Sequence, residues 1–143
     1  MNSLPKFELK DQQNALINSQ SWLGNPVVVY FYPKDDTPGC TAQACSFRDS
    51  FDEFKDLGVK VVGISADSPA SHAKFAQKYQ LPFVLLSDEK NEVRDLFKVP
   101  KSFLGLIPGR VTYVFDAEGK LLHQFDSQLK AKQHMAEALK ALR

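Results

Sequence analysis

Residues 26–32 read Pro-Val-Val-Val-Tyr-Phe-Tyr. No charged residue interrupts the run from Val27 to Tyr32, so it cannot present one wet face and one dry face. A strand apolar on both faces belongs in the middle of a sheet that is covered on both sides. The chain then turns polar at once, through Pro33-Lys34-Asp35-Asp36-Thr37-Pro38-Gly39. Thr37 stands where an N-cap would, and Pro38 suits the first helical position. Ala44, Phe47, Phe51 and Phe54 follow at three- and four-residue spacing, the stripe of a helix facing a core. That helix is expected to end at Leu57-Gly58, with Gly58 as its C′ residue. Val59–Ile64 is the next strand, and strand–helix–strand implies a crossover between parallel strands.

The remaining segments fit around this unit. Phe7-Glu8-Leu9 and Ala15-Leu16-Ile17 read as a small hairpin. Ser19 to Asn25 is expected to be a turn or short helix, with Trp22 on the core. Asp67-Ser68-Pro69 opens a second helix with Ala73, Phe75, Ala76 and Tyr79 on its apolar side. Pro82–Leu86 is a third core strand, followed by a helix over 91–97. Arg110–Phe115 and Lys120–Phe125 flank Asp116-Ala117-Glu118-Gly119, a strong hairpin signal. The last helix carries Ala131, Met135, Ala138, Leu139 and Leu142 on one face. The pattern predicts an α/β chain with a mixed central sheet, helices on both faces and an N-terminal β-hairpin, as a single domain over 1–143.

Composition removes several function classes. Among 143 residues the formal net charge is +1, which makes no electrostatic case for nucleic acid or an anionic membrane. No apolar run approaches the roughly 18 residues that a membrane helix needs. Met1–Lys6 does not read as a signal peptide. Two cysteines make neither a disulfide framework nor, without clustered histidines, a metal site. His72, His123 and His134 are scattered and read as solvated, so no Cys–His pair is argued by spacing.

Both cysteines lie at the strand-to-helix corner, Cys40 in the first helical turn and Cys45 five positions on. A first turn has backbone N–H groups without partners and the positive end of the helix dipole, which favours an anion such as a thiolate. Five residues of ideal helix rise roughly 7.5 Å and turn about 500°, whereas a disulfide needs Cα atoms within about 4.4–6.8 Å. A Cys40–Cys45 bond would therefore require the first turns to unwind. The plainer reading, that Cys45 is a small buried apolar residue, stays open at this point.

The segment Pro33-x-x-x-Thr37-x-x-Cys40 resembles the peroxiredoxin active-site motif. Thr37-Pro38-Gly39-Cys40-Thr41-x-x-Ala44-Cys45-x-Phe47-Arg48-Asp49 is similar to the Q-type, or bacterioferritin comigratory protein, subfamily. Pro108-Gly109-Arg110-Val111-Thr112-Tyr113-Val114 is similar to that subfamily's segment carrying an active-site arginine. The likeness runs from about Phe7 to the C-terminus, and departs from the subfamily in a shortened leader before the first strand. It implies a thioredoxin-like fold and reduction of hydrogen peroxide and alkyl hydroperoxides, with no cofactor and no metal. Cys40 would attack the peroxide and become a sulfenic acid, and Cys45 would resolve it as an intramolecular disulfide. Thr37, Arg110 and the Gly39 and Cys40 backbone N–H groups would bind and orient the peroxide, while Pro33 and Pro38 would fix the loop. Thioredoxin or a similar dithiol protein would restore the thiols. A monomer is expected, because intramolecular resolution removes one reason to dimerise. Recycling calls for a reducing compartment, such as bacterial cytoplasm or plastid stroma.

Plainer roles exist for several of these residues. Thr37 can serve as an N-cap alone, and Arg110 as a solvated arginine at the start of a strand. Arg48 is expected to pair with Asp52 across one helical turn. Phe103, Leu104, Leu106 and Ile107 form an apolar loop expected to border the site. The alternative functions are a thioredoxin-like thiol–disulfide oxidoreductase, which would normally use Cys-x-x-Cys, and a redox sensor.

Overall fold

The computed structural model describes residues 1–102 and 107–143. Strands β1 (Glu8–Asp11) and β2 (Leu16–Asn18) form the N-terminal hairpin, and a 3-10 turn over Ser19–Trp22 leads into β3 (Val27–Phe31). Then come α1 (Pro38–Asp49), α2 (Phe51–Asp56), β4 (Lys60–Ser65), α3 (Pro69–Tyr79), β5 (Val84–Ser87) and α4 (Glu92–Leu96). The short pair β6 (Lys101–Ser102) and β7 (Ile107–Pro108) precedes β8 (Val111–Phe115), β9 (Leu121–Asp126) and α5 (Gln133–Leu142). The main sheet has the order β2-β1-β5-β4-β3-β8-β9. β3, β4 and β5 run parallel, and β1, β8 and β9 join antiparallel to their neighbours. The Phe103–Leu106 part of the apolar loop lies outside the described residues.

Alternate residues of the founding apolar run face opposite layers, as a pleated strand requires. Val28, Tyr30 and Tyr32 pack with Cys40, Ala44 and Phe47 of α1, Phe54 of α2, Phe75 of α3 and Ala138 and Leu139 of α5. Val27, Val29 and Phe31 pack on the other side with Phe7, Trp22, and Val93 and Phe97 at α4. Every residue of β3 is buried. Tyr30 stacks on Phe47 with centroids 4.7 Å apart. Gly63 on β4 leaves the room, because a Cβ there would sit 2.8 Å from the Tyr30 ring.

Two details differ from the sequence expectation. The helix after Cys40 is broken at Ser50 into α1 and α2, and Phe54 of α2 is buried in the core. Arg48 pairs with its neighbour Asp49 (3.0 Å), and its Nη1 donates to the Tyr79 carbonyl (2.8 Å); it does not use Asp52. A carbonyl at the end of α3 offers a partly buried acceptor that an exposed i, i+4 carboxylate cannot match. Gly58 takes φ +71°, as the C′ reading required. Among the described residues, no helix is long and apolar enough to cross a membrane.

Candidate active site

The polar loop after β3 is held from below by buried carboxylate chemistry. The Asp35 carboxylate accepts from Tyr32 Oη (2.6 Å) and Ser71 Oγ (2.9 Å), and its Oδ2 lies 2.7 Å from His72 Nδ1. His72 Nε2 donates to the Leu86 carbonyl at 2.9 Å, so the ring spans α3, β5 and the loop. The backbone N–H of Asp35 donates to Asp67 Oδ2 (2.9 Å). Asp36, in the left-handed region at φ +57°, accepts from Lys78 Nζ (2.9 Å) and Tyr79 Oη (2.8 Å) of α3. The Lys78 and Tyr79 hydrogen bonds hold its carboxyl below the usual carboxylate range. The two aspartates of the loop are thus grips on α3. Burial, and then the Asp35 charge, push the Tyr32 phenol well above its ordinary value.

This network corrects the reading of the histidines. His72 and His134 are buried and fully hydrogen-bonded, and only His123 is partly exposed, 3.8 Å from Glu137. An imidazole can be buried when both nitrogens find partners, and spacing in sequence does not reveal partners that come from other elements. Asp35, Asp67 and His72 bring ligand-type atoms within 4.8 Å of one another. The Asp35 and His72 atoms bond to each other, Asp35 also accepts from Tyr32 and Ser71, and Asp67 Oδ2 accepts from Ser65 Oγ and the Asp35 backbone N–H, so the group works as a hydrogen-bond network.

Above the network sits the helix start. Thr37 occupies the N-cap position in an extended conformation, but its side chain makes no capping bond. Its Oγ1 donates back to the Lys34 carbonyl (2.9 Å), leaving the oxygen lone pairs to accept. The first backbone bond of α1 runs from Thr41 N to Thr37 O (2.8 Å). Pro38 has no N–H, so the Gly39 and Cys40 N–H groups precede the helical ladder. Cys40 is buried at 2% exposure, and Cys45 is half-buried on the same unbroken helix. Both cysteines are free.

Arg110, at the entrance to β8, closes the site. Its Nη2 donates to Cys40 Sγ at 3.4 Å, its Nη1 to Gln43 Oε1, and its Nε to the Gln128 carbonyl at 3.2 Å. Seventy positions of sequence separate Arg110 from Cys40. Pairing of Phe31 with Val111 in the β3–β8 ladder brings the two ends together. Gly39 must stay small, since a Cβ would lie 3.0 Å from Arg110 Nη2. Pro33 is half-buried and opens the loop directly after Tyr32.

Gln43 is the site residue that sequence reasoning missed. It is buried, one turn beyond Cys40, and accepts from the arginine fork. The signal was available: a polar side chain on the same inward stripe as Ala44 and Phe47.

His134 ties Thr112 of β8 to Ser127, whose backbone N–H donates to the Arg110 carbonyl (3.2 Å). Its Nε2 donates to the Ser127 carbonyl (2.7 Å) and its Nδ1 accepts from Thr112 Oγ1 (2.8 Å), the neutral tautomer that satisfies both partners. Burial, against the Ser127 bond and with help from the Arg110 charge, lowers its pKa to about 4. The unfolded chain binds a proton here near pH 6.5, before the folded one does. Stability from this group is therefore complete above about pH 6.5 and falls as pH drops toward 4. Between pH 7 and 5 the loss should be about 2 kcal/mol. Urea titrations should show that slope in the wild type and a shallower one in His134→Gln; equal slopes would remove His134 as the cause.

A sequence model described as "AhpC/TSA family" matches residues 1–124. The chain is 51% identical over 138 residues to "Peroxiredoxin Q, chloroplastic" of Populus jackii, covering 96% of this chain and 65% of that protein. It is 52% identical over 138 residues to the protein of the same name from Sedum lineare, covering 96% of this chain and 74% of that one. The chain thus spans about two thirds of the length of such plant relatives. The crystal structure of peroxidoxin BcpB from Mycobacterium tuberculosis superposes with a TM-score of 0.90 at 37% identity, over 99% of this chain and 94% of that one.

Proposed function

The chain belongs to the AhpC/TSA family, and from that premise we propose that it is a thiol-dependent peroxidase in which Cys40 is the nucleophile and Cys45 the resolving thiol. Its thioredoxin-like peroxiredoxin fold brings the arginine to the helix start. The observation that carries the reading is the Arg110 Nη2 contact with Cys40 Sγ (3.4 Å) in the first turn of α1.

The Cys40 thiolate attacks one peroxide oxygen, an S–O bond forms and the O–O bond breaks. The sulfur loses two electrons to the peroxide. Charge that leaves the sulfur arrives on the departing oxygen, which takes a proton and leaves as water or an alcohol. Arg110 and the Gly39 and Cys40 N–H groups supply donors aimed at this displaced charge. The Thr37 lone pairs accept the peroxide O–H, because its own proton is committed to Lys34 O. Pro33 fixes the loop in front of the thiol. Cys45 then attacks the sulfenic sulfur, water leaves, and a Cys40–Cys45 disulfide forms after α1 unwinds. A dithiol protein of the thioredoxin kind returns both sulfurs to thiols by exchange. Hydrogen peroxide and alkyl hydroperoxides are the substrates, and the enzyme acts as a monomer without nucleic acid or membrane partners. A reducing compartment follows from the recycling step. The plastid names of the Populus and Sedum relatives favour the stroma, and a bacterial cytoplasm would serve the same chemistry.

The test is one equivalent of hydrogen peroxide mixed with reduced protein in a stopped-flow instrument, with the sulfurs mapped by mass spectrometry. Fast oxidation ending in a Cys40–Cys45 disulfide supports the cycle. Oxidation at the rate of a free thiol, or insulin reduction without peroxide consumption, favours the oxidoreductase or sensor reading. Cys45→Ser should keep the first step, accumulate sulfenic acid and lose thioredoxin-dependent turnover. Normal cycling of that variant would take the resolving role from Cys45.

A further inference from the structure

Arg94 is a buried cation that takes no part in the chemistry above. It projects from α4, is 7% exposed, and its guanidinium carbon lies 5.5 Å from the Phe31 ring centroid. Its Nη1 donates to the Gly109 carbonyl (2.8 Å) and its Nη2 to the Tyr32 carbonyl (3.0 Å). Tyr32 is the residue before Pro33, and Gly109 the residue before Arg110. One planar fork therefore spans the two chain segments that carry the two halves of the site.

Each part of this arrangement is held in place. The Asp88 carboxylate accepts from the backbone N–H of Val93 (3.1 Å) and of Arg94 (2.8 Å), which fixes the start of α4. Gly109 reaches its position only because it has no side chain; a Cβ would overlap the Pro100 carbonyl. Burial lowers the Arg94 pKa, opposed first by the Asp88 charge. Two carbonyl contacts alone are a costly use of a buried guanidinium. A neutral donor would satisfy the same oxygens, so a structural tie does not by itself explain an arginine.

Resting on the peroxidase reading, we propose that Arg94 is a positioning residue for peroxide reduction: by clamping Tyr32 O and Gly109 O on one guanidinium, it sets the separation of Arg110 from Cys40. Misplacement of about 1 Å at a reacting centre can cost roughly 10²-fold in rate. Arginine suits the task because its planar fork reaches two acceptors at a fixed angle, which a lysine ammonium cannot do.

The experiment is a double-mutant cycle on the full chain, read as the second-order rate of Cys40 oxidation by hydrogen peroxide, with iodoacetamide alkylation as a control. Arg94→Met should slow oxidation by roughly 10²-fold. In an Arg110→Met background the same change should matter by about twofold or less, because there is no Arg110 left to position. Alkylation, read at a pH high enough to ionise the thiol fully in every variant, needs the thiolate but no oriented arginine, so it should change little in either. Arg94→Lys keeps the charge and reaches one carbonyl, so it should fall between wild type and Arg94→Met, and it replaces Arg94→Met if that variant does not fold. Equal losses in both backgrounds, a matching loss in alkylation, or no loss would overturn the clamp. Should the wild type itself react like a free thiol, the peroxidase reading fails. The clamp is then judged on a crystal structure of the Arg94 variant, where an unchanged Arg110–Cys40 contact would refute it.

Discussion

Cys40→Ser is expected to reduce peroxide consumption, measured with a thioredoxin regenerating system, to that of the buffer. The serine hydroxyl is nearly isosteric with the thiol, so the 2%-exposed site should pack as before, and far-UV circular dichroism should be unchanged. Arg110 would keep an acceptor in the serine oxygen. What disappears is a sulfur that can release two electrons to an O–O bond at neutral pH. The variant therefore isolates the chemistry from the scaffold. Consumption above the buffer rate would move the nucleophile to Cys45, which sits half-buried on the same helix. Mass spectrometry would then find the first oxidised sulfur there.

Arg110→Met should lower the second-order oxidation rate by about 10²–10³-fold, corresponding to roughly 3–4 kcal/mol of lost transition-state stabilisation. Arg110 makes three directed contacts, to Cys40 Sγ, Gln43 Oε1 and Gln128 O. Methionine fills much of the volume but offers no donor. Arg110→Lys restores the charge without the fork, so the rate it recovers measures how much of the effect is charge alone. The Gln43 and Gln128 acceptors would lose a partner in both variants, so part of the loss will appear in stability. Following rate and urea midpoint together separates the two. A rate within about threefold of wild type in Arg110→Met would rule out Arg110 as the group that stabilises the departing oxygen; by comparison, a neutral hydrogen bond contributes only about 1 kcal/mol net.

Local pattern carried most of the fold. The run Val27–Tyr32 could be read as a central strand because its residues leave no polar alternation, and every residue of β3 is buried. The Thr37-Pro38 helix start, the Gly58 end and the Asp116–Gly119 turn each rest on backbone preferences that act within a few residues. The break at Ser50 was not legible, since Phe51 and Phe54 continue the helical spacing across it.

At the site, local chain chemistry is enough to put Cys40 in a first helical turn, five positions before Cys45 and next to Gly39. These are consequences of one continuous stretch of chain. The Arg110 contact across 70 positions, the burial of His72 and His134, and the Arg94 fork on two distant carbonyls exist only in the assembled fold. The physical reason is the same in each case. A helix start or a turn is selected by the energies of neighbouring residues, whereas the worth of a buried charge depends on partners that arrive only when the sheet aligns β3 with β8 and α4 closes over them.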